Sequence, residues 1–281
     1  MEPQHGFAEA GVRLHHTLWG ERGPYVILQH GMGRTARSWD AVCRNLARDH
    51  RLAVLDARGF GESERSADGY GEQQRLADFA AVMDGLGWEQ PVLVGHSLGG
   101  ATVTMYAAQH PERLRALVLL EPVLDAHHHW RVTVSPERLQ GMRREWASAE
   151  AAAERLRQNE MTKHWRADVL EDVLTHEFTT RPDGTIEMKA APAAYNSEEL
   201  LADRFNLLDL APQIDAPLLL LLGSDSTYDR EAGQRFADAA PQGAMRMVDG
   251  TGHAMYMEQP DEIAERVRAF IASGAANEAA D

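Results

Sequence analysis

A serine between glycines is the residue of this chain best placed to do chemistry. The segment Gly95-His96-Ser97-Leu98-Gly99 follows the apolar run PVLV and precedes LGGATVTMYAA, which has the composition of a helix. A G-x-S-x-G sequence between a strand and a helix makes a turn so tight that the residues two before and two after the serine must be small. The turn forces Ser97 towards positive φ and places its hydroxyl at a helix N-terminus. We therefore predict that Ser97 is a nucleophile.

A serine hydroxyl needs a base within hydrogen-bond reach, because it is a poor nucleophile while it is protonated. His253, in VDGTGHAMYMEQP, is predicted to lie in a loop between the last strand and the last helix. His96 adjoins the serine, but its side chain must leave the turn in another direction. His30 ends a strand and is expected to orient the loop that follows it. We therefore predict that His253 is the base.

Attack by Ser97 on a carbonyl group would create an oxyanion, which needs hydrogen-bond donors. Removing one such donor typically costs about 2.7–4 kcal/mol of transition-state stabilisation. The backbone N–H of Met32, in the HGMG segment after the first strong strand, is one predicted donor. The N–H of Leu98, directly after the nucleophile, is the other.

A carboxylate must fix the tautomer of the base and stabilise its protonated ring. Glu121 ends the apolar run in LRALVLLEP, where a carboxylate without a partner would be costly to bury. Asp225 follows the run LLLLLG and could instead be a solvated loop residue. We favour Glu121 over Asp225 and rank Asp229 third.

The elements that must position these residues alternate regularly along the chain. Six segments read as strands and five as helices, and apolar runs bounded by Gly and Pro with a helix-length segment after each indicate a parallel sheet. The strands are PYVILQH, RLAVLD, PVLVGH, LRALVLLEP, APLLLLLGSD and AMRMVD. The helices are SWDAVCRNLA, RLADFAAVMDGLG, LGGATVTMYAAQH, REAGQRFADAA and PDEIAERVRAFIA.

The alternation is interrupted from about residue 123 to residue 210. This stretch is polar and helical, with its clearest helices in EAAAERLRQ and ADVLEDVLTHEF, and no run in it resembles a buried strand. We predict an α/β core at 1–122 and 211–274, with a helical cap at 123–210. The tail 275–281 is expected to be frayed.

Four segments, in this order, resemble the α/β-hydrolase superfamily: HGMG, DARGFGES, GHSLGG and GTGHAMYMEQP. The resemblance covers essentially the whole chain. It implies an α/β-hydrolase fold with a mostly parallel, eight-stranded sheet, a helical cap inserted after the sixth strand, and a Ser-His-acid triad.

The position of the acid departs from the common pattern of that superfamily. In many relatives the acid lies three residues beyond the glycine that closes the seventh strand. Counting from Gly223, that residue is Ser226, which cannot act as a carboxylate. Some capped relatives, including certain lactone hydrolases and dehalogenases, instead use a residue directly after the sixth strand, and here this is Glu121.

Several other residues are assigned structural roles. The resemblance implies that Asp56 belongs to a structural turn and that Arg58 ties loops together. The run His127–His129 lacks the i, i+4 spacing of a helical ligand pair, so we expect it at a cap surface or pocket rim rather than in a metal site. Cys43 is the single cysteine and is expected to be a small buried hydrophobe.

Three tryptophans fall in the predicted cap. Trp130, Trp146 and Trp165 could pack helices together or could line an apolar substrate pocket above the serine. Trp130 is the best pocket candidate because it follows Glu121 most closely.

The bulk composition narrows the class of partner. The formal charge of −15, from 43 acidic and 28 basic side chains, disfavours nucleic acid and anionic membranes as partners. No run approaches the roughly 20 apolar residues of a membrane helix, and no secretory signal is visible. We therefore expect a protein of the cytoplasm, and the oligomeric state stays open.

Together these features predict a serine hydrolase that cleaves a small carboxylic ester or lactone through an acyl-enzyme, without a metal or organic cofactor. An aspartate at position 97 would have suggested haloalkane or epoxide chemistry, and Ser97 counts against both. Three alternatives use the same residues: a carbon–carbon bond hydrolase, a cofactor-free perhydrolase, and a small-molecule receptor of hydrolase fold with little turnover.

Overall fold

The computed structural model describes residues 2–130 and 145–274, and an eight-stranded sheet runs through its centre. The strands are β1 (Gln4–Glu9), β2 (Arg13–Trp19), β3 (Tyr25–Gln29), β4 (Arg51–Leu55), β5 (Val92–His96), β6 (Ala116–Leu120), β10 (Leu218–Gly223) and β11 (Gly243–Val248). Their order is β1-β2-β4-β3-β5-β6-β10-β11. Only the β1–β2 and β2–β4 pairings are antiparallel, so the sheet is mostly parallel, as predicted.

The first two strands were not among the segments that read as strands. Most side chains of β1 are exposed, and β2 buries His15, His16 and Thr17 rather than an apolar run. The signal of a buried strand is a run of apolar residues. Polar residues at the buried positions of β2 therefore hid it, although the resemblance to the superfamily correctly implied eight strands.

The helices around the sheet closely follow the sequence pattern. They are α1 (Asp40–Leu46), α2 (Glu72–Leu86), α3 (Ser97–Gln109), α10 (Arg230–Ala239), α11 (Met255–Glu258) and α12 (Pro260–Ala272). Helix α12 begins with a proline, which suits a first helical position, and buries Ile263, Val267 and Phe270 at helical spacing. Helix α1 packs against α12, α2 against α3, and α10 against β11.

Residues 123–210, which we call the insertion, separate β6 from β10. Its described helices are α4 (Ala126–His128), α5 (Ala149–Gln158), α6 (Ala167–His176), α7 (Ala193–Asn196), α8 (Glu198–Leu201) and α9 (Leu207–Leu210). It also contains a small antiparallel sheet of β7 (Glu145–Trp146), β9 (Ile186–Met188) and β8 (Phe178–Thr180). The expectation that this stretch holds no buried strand needs correction, because strands of two or three residues are too short to show a periodicity.

The described residues have no helix that is both long enough and apolar enough to cross a bilayer. The longest of these helices, α2, has 15 residues. The tail 275–281 that was expected to be frayed lies outside the described residues.

Candidate active site

The turn between β5 and α3 has the geometry that the glycine pattern predicted. Ser97 is the first residue of α3 and has a φ of +53°. A Cβ on Gly95 would lie 2.6 Å from the Cα of Gly100, and a Cβ on Gly99 would lie 2.3 Å from the carbonyl oxygen of His30. Any larger residue at either glycine would push the turn apart, so both are required to hold Ser97 in a strained conformation.

Glu121 is the second strained residue of this region. It directly follows β6, has a φ of +41° and is fully buried. Its carboxylate accepts three hydrogen bonds: Oε1 from the backbone N–H of Gly223 at 3.0 Å, and Oε2 from Ser226 Oγ at 2.8 Å and from Nδ1 of His253 at 2.7 Å. A buried carboxylate is tolerated when it is satisfied in this way. The structure therefore brings Glu121 to His253.

The other two carboxylates lie elsewhere. Asp225 is exposed, and its Oδ1 accepts a hydrogen bond from its neighbour Ser224 at 2.9 Å. Asp229 caps the N-terminus of α10, where it accepts the backbone N–H of Ala232 at 2.9 Å. Each of these acids has a local role in its own loop.

Ser226 has a role that the sequence pattern did not indicate. Its hydroxyl donates to Glu121 and accepts the backbone N–H of Tyr228 at 3.1 Å. The hydroxyl of Tyr228 donates in turn to the carbonyl of Pro122 at 2.9 Å. The loop after β10 is thereby tied to the residues after β6, and the serine at the common acid position supports the carboxylate of Glu121.

His253 lies between β11 and α11, with its ring against His96. The two ring centroids are 4.6 Å apart, and Nε2 of His96 donates to the carbonyl of His253 at 2.9 Å. Burial, together with the nearby imidazole of His253, lowers the pKa of His96 well below its usual value, so His96 is neutral. Because Nδ1 of His253 is bound to Glu121, Nε2 is the nitrogen left for a proton transfer, and 39% of this side chain is exposed.

The loop that carries Met32 packs directly against the serine turn. A Cβ on Gly31 would lie 2.9 Å from the Cβ of Ser97. His30 spans this loop, since its Nδ1 donates to the carbonyl of Gly31 at 2.7 Å and its Nε2 accepts the backbone N–H of Ala57 at 3.0 Å. Burial lowers the pKa of His30, which favours the neutral ring that these two bonds require. His30 therefore orients the loop, as expected.

Asp56 and Arg58 make structural contacts. Asp56 is buried and accepts the backbone N–H of Ala36 at 2.6 Å and the ring N–H of His15 at 2.7 Å. Arg58 makes two bonds, of 2.8 and 2.7 Å, to the carboxylate of Asp78. These contacts fix the loops after β3 and β4 to their neighbours.

A carboxylate from the insertion also holds the loop that carries Met32. Glu177, which is 1% exposed, accepts the backbone N–H of Thr35 at 3.0 Å and its hydroxyl at 3.2 Å. Its other oxygen lies 2.9 Å from the guanidinium of Arg34, which stacks 5.0 Å from the ring centre of Trp165. Sequence reasoning missed Glu177, because it ends an ordinary amphipathic helix and carries no motif.

The remaining insertion candidates divide between surface and interior. His127 and His128 are exposed, whereas His129 is half-buried. Burial, with a smaller effect from the imidazole of His253, lowers the pKa of His129 to about 4. Trp130 is buried and contacts the ring of His129 edge-on, with 4.7 Å between centroids. Trp146 packs in the same manner against Phe178, at 5.2 Å.

One group of potential metal ligands occurs in the described ranges 2–130 and 145–274. Asp40, Asp172 and His176 bring their ligand atoms within 4.8 Å of one another. Arginines already occupy them: Arg37 bonds to Asp40 at 2.7 Å and to His176 at 3.0 Å, and Arg44 bonds to Asp172 at 2.5 Å. These contacts link α1 to α6, and we assign no metal to the three side chains.

Comparison with known proteins places the chain in a family. The family model for the alpha/beta hydrolase fold matches residues 24–260. Epoxide hydrolase 4 of Mus musculus is 34% identical over 115 residues, which cover 40% of this chain and only 32% of that protein. The pimeloyl-[acyl-carrier protein] methyl ester esterase of Aeromonas hydrophila is 26% identical over 257 residues, covering 89% of this chain and 96% of the esterase.

The fold is also close to that of a solved hydrolase. The crystal structure of E-2-(acetamidomethylene)succinate hydrolase superposes with a TM-score of 0.83 at 20% identity, covering 96% of this chain and 100% of that one. At this identity the likeness concerns the fold alone. With the family match over residues 24–260, it shows that the chain belongs to the α/β-hydrolase fold family.

Proposed function

We propose that this protein is a serine hydrolase that cleaves a carboxylic ester or lactone through an acyl-enzyme. The observation that carries the proposal is the 2.7 Å bond between Glu121 and Nδ1 of His253, beside the strained turn of Ser97. A histidine held by a carboxylate next to a serine on a helix N-terminus is the arrangement that activates a hydroxyl.

The proposed reaction begins when Ser97 Oγ attacks the carbonyl carbon and Nε2 of His253 takes the hydroxyl proton. The carbonyl oxygen becomes an oxyanion, which the backbone N–H groups of Met32 and Leu98 stabilise. Collapse of this intermediate breaks the carbon–oxygen bond of the ester, and His253 gives its proton to the departing alkoxide. Water, deprotonated by His253, then attacks the acyl-enzyme and releases the carboxylic acid and Ser97.

In this proposal Glu121, rather than Asp225, is the acid of the triad. Its carboxylate holds the Nδ1–H tautomer of His253 and stabilises the imidazolium that forms during each proton transfer. Ser226 and the N–H of Gly223 donate hydrogen bonds to this carboxylate and hold it beside His253.

The relatives support an ester substrate more than an epoxide. A methyl ester esterase aligns with almost all of this chain, whereas epoxide hydrolase 4 aligns with 40% of it. Opening of an epoxide by Ser97 would leave an ether on the enzyme, and water does not cleave an ether under these conditions. An ester carbonyl, in contrast, gives an acyl-enzyme that His253 can hydrolyse.

We further propose that the insertion caps this site. Two observations support this: Glu177 ties the insertion to the loop of Met32, and the imidazole of His253 contributes to the lowered pKa of His129, at the start of the insertion. Trp130, next to His129, would then form part of the wall on the leaving-group side.

The test of this function is hydrolysis of p-nitrophenyl esters by the wild type and by Ser97→Ala. We expect steady turnover by the wild type and its loss in Ser97→Ala. The control is Ser273→Ala, which should keep full activity because Ser273 is exposed at the C-terminal end of α12. A fluorophosphonate should label Ser97 in the wild type, as read by peptide mass spectrometry. Full activity of a folded Ser97→Ala variant would refute the proposal.

The same assay separates an enzyme from a receptor of the same fold. A receptor would release at most about one equivalent of p-nitrophenol per protein and then stop. An enzyme continues at a constant rate after the first turnover. We expect continued turnover, since His253 is positioned to activate water as well as Ser97.

A further inference from the structure

A partly open cavity of about 50 Å³ lies next to the loop of Met32. Its lining includes Gly31 and Met32 from this loop, and Leu98 and Gly99 from the start of α3. Because a Cβ on Gly31 would stand 2.9 Å from the Cβ of Ser97, the cavity wall touches the proposed nucleophile. The cavity therefore lies beside the proposed oxyanion hole.

Most of the surface that lines the cavity is apolar, and it includes the buried side chains of Leu55, Phe79, Val82 and Leu200. The charged side chains that line it are already paired: Arg58 with Asp78, Arg75 with Asp203 and Asp56 with His15. An apolar group is thus the occupant that these walls favour.

The position of the base decides which half of the substrate enters the cavity. His253 must give its proton to the leaving alcohol, so that alcohol lies on the side of His253. Neither His253 nor its neighbours His129 and Trp130 line the cavity. The acyl group stays bonded to Ser97 with its carbonyl oxygen between Met32 and Leu98, and its chain then points into the cavity.

We propose that the substrate carries a short aliphatic acyl group, that this group binds in the cavity, and that the size of the cavity limits its length. The inference rests on the proposed ester hydrolysis. An apolar cavity of about 150 Å³ holds benzene, which has six heavy atoms. A cavity of about 50 Å³ therefore holds roughly two or three carbons beyond the carbonyl, as in propionyl and butyryl groups.

The test is a series of p-nitrophenyl esters from acetate to octanoate, assayed with three side chains at one wall position. In the wild type, kcat/KM should rise about threefold per added methylene up to butyrate and fall by tenfold or more at octanoate. Val82→Ala should move the optimum to a longer chain. Val82→Leu should lower the butyrate-to-acetate ratio about fivefold.

Val42→Ala is the matched control, because Val42 is equally buried but lies on α1 and does not line the cavity. It should leave the chain-length profile unchanged. If Val82→Leu does not fold, as judged by circular dichroism, Ala194→Val at another wall takes its place. A profile that stays within twofold of the wild type in every folded cavity variant would overturn the inference, as would an optimum at octanoate in the wild type.

These results are distinct from a failure of the proposed function. If no ester of the series is hydrolysed in a Ser97-dependent way, the proposed ester hydrolysis is wrong and the acyl assignment falls with it. If the acetate ester is hydrolysed in a Ser97-dependent way but the chain-length profile does not change with the side chain at position 82, only the acyl assignment is wrong.

Discussion

At the scale of single residues, Glu121 and Ser226 combine two arrangements that are usually separate. The carboxylate of Glu121 comes from the end of β6, while the loop after β10 contributes only a hydroxyl to it. The positive φ of Glu121 costs on the order of 1–3 kcal/mol, and such strain persists where the surroundings require it. Here it aims a buried carboxylate at His253.

This arrangement predicts that an acid at position 226 can substitute for Glu121. Glu121→Gln removes the charge beside His253, whereas Ser226→Asp would supply a carboxylate at a position whose hydroxyl now lies 2.8 Å from Oε2 of Glu121. We expect the double variant to regain at least about tenfold in kcat over Glu121→Gln alone. Ester hydrolysis under saturating substrate measures this.

The matched control places the new acid two residues earlier in the same loop. Ser224 contacts Asp225 and Gly250 rather than Glu121, so Ser224→Asp should give no recovery in the Glu121→Gln background. Equal recovery by both aspartates would show that added negative charge, and not its position, restores activity.

Some of these residue roles could be read from the sequence and others could not. A glutamate at the end of an apolar strand needs a partner, which is why the sequence alone favours Glu121 over Asp225. The bond from Ser226 depends on how the loop after β10 closes, and spacing along the chain carries no information on that. The same applies to the cavity, whose lining residues come from six separate segments of the chain between Leu14 and Leu200.

At the scale of elements, the insertion and the core meet at the loop of Met32. Two carboxylates hold successive backbone N–H groups of this loop: Glu177 binds Thr35 and Asp56 binds Ala36. Asp56 follows a strand in a recognisable motif, but Glu177 is joined to the loop by a contact across 142 residues. Long α/β elements were predictable from their periodicity, whereas this contact required the folded chain.

Glu177→Gln should weaken the positioning of Met32, the proposed oxyanion donor. The substitution keeps the shape of the side chain but removes its ion pair with Arg34. We expect kcat to fall about tenfold with little change in KM, because a displaced oxyanion hole affects the transition state more than the bound substrate. Steady-state kinetics on a p-nitrophenyl ester provides both parameters.

Glu187→Gln is the control from the same insertion. Glu187 pairs with Arg181, whose side chain is 38% exposed, so this ion pair contributes little. Its variant should keep wild-type kcat. A Glu177→Gln enzyme with unchanged kcat would show that the insertion does not position the loop.

At the scale of the whole molecule, the fold gathers residues from distant parts of the chain at one edge of the sheet. Ser97, Glu121 and His253 follow β5, β6 and β11, and the carboxyl ends of parallel strands meet at the same edge. This placement follows from the order of strands and motifs, so the sequence was sufficient for it. Stability against pH, in contrast, depends on burial that only the folded molecule reveals.

Asp40 makes the folded state less stable as the pH rises. Burial raises the pKa of its carboxyl from 3.8 to about 7, against the opposing effect of Arg37. Between these two values the folded state holds a proton that the unfolded state has released, so the free energy of unfolding falls with increasing pH. Asp40→Asn should therefore gain stability relative to the wild type between pH 4 and pH 7, by on the order of 1–4 kcal/mol.

Urea unfolding at several pH values measures this difference. Asp215→Asn, at an exposed position, serves as the control and should follow the wild type at every pH. Parallel stability curves for Asp40→Asn and the wild type would show that Asp40 is ionised in the folded protein throughout this range.

The central claim is that Glu121 supports His253 as the acid of a serine hydrolase. The most direct test compares kcat for ester hydrolysis between Glu121→Gln and Asp225→Asn, both confirmed as folded by circular dichroism. The 2.7 Å bond to His253 predicts a loss of about 10⁴-fold for Glu121→Gln and a change of less than about twofold for Asp225→Asn. The reverse ranking, with Asp225→Asn the more damaging substitution, would contradict the account.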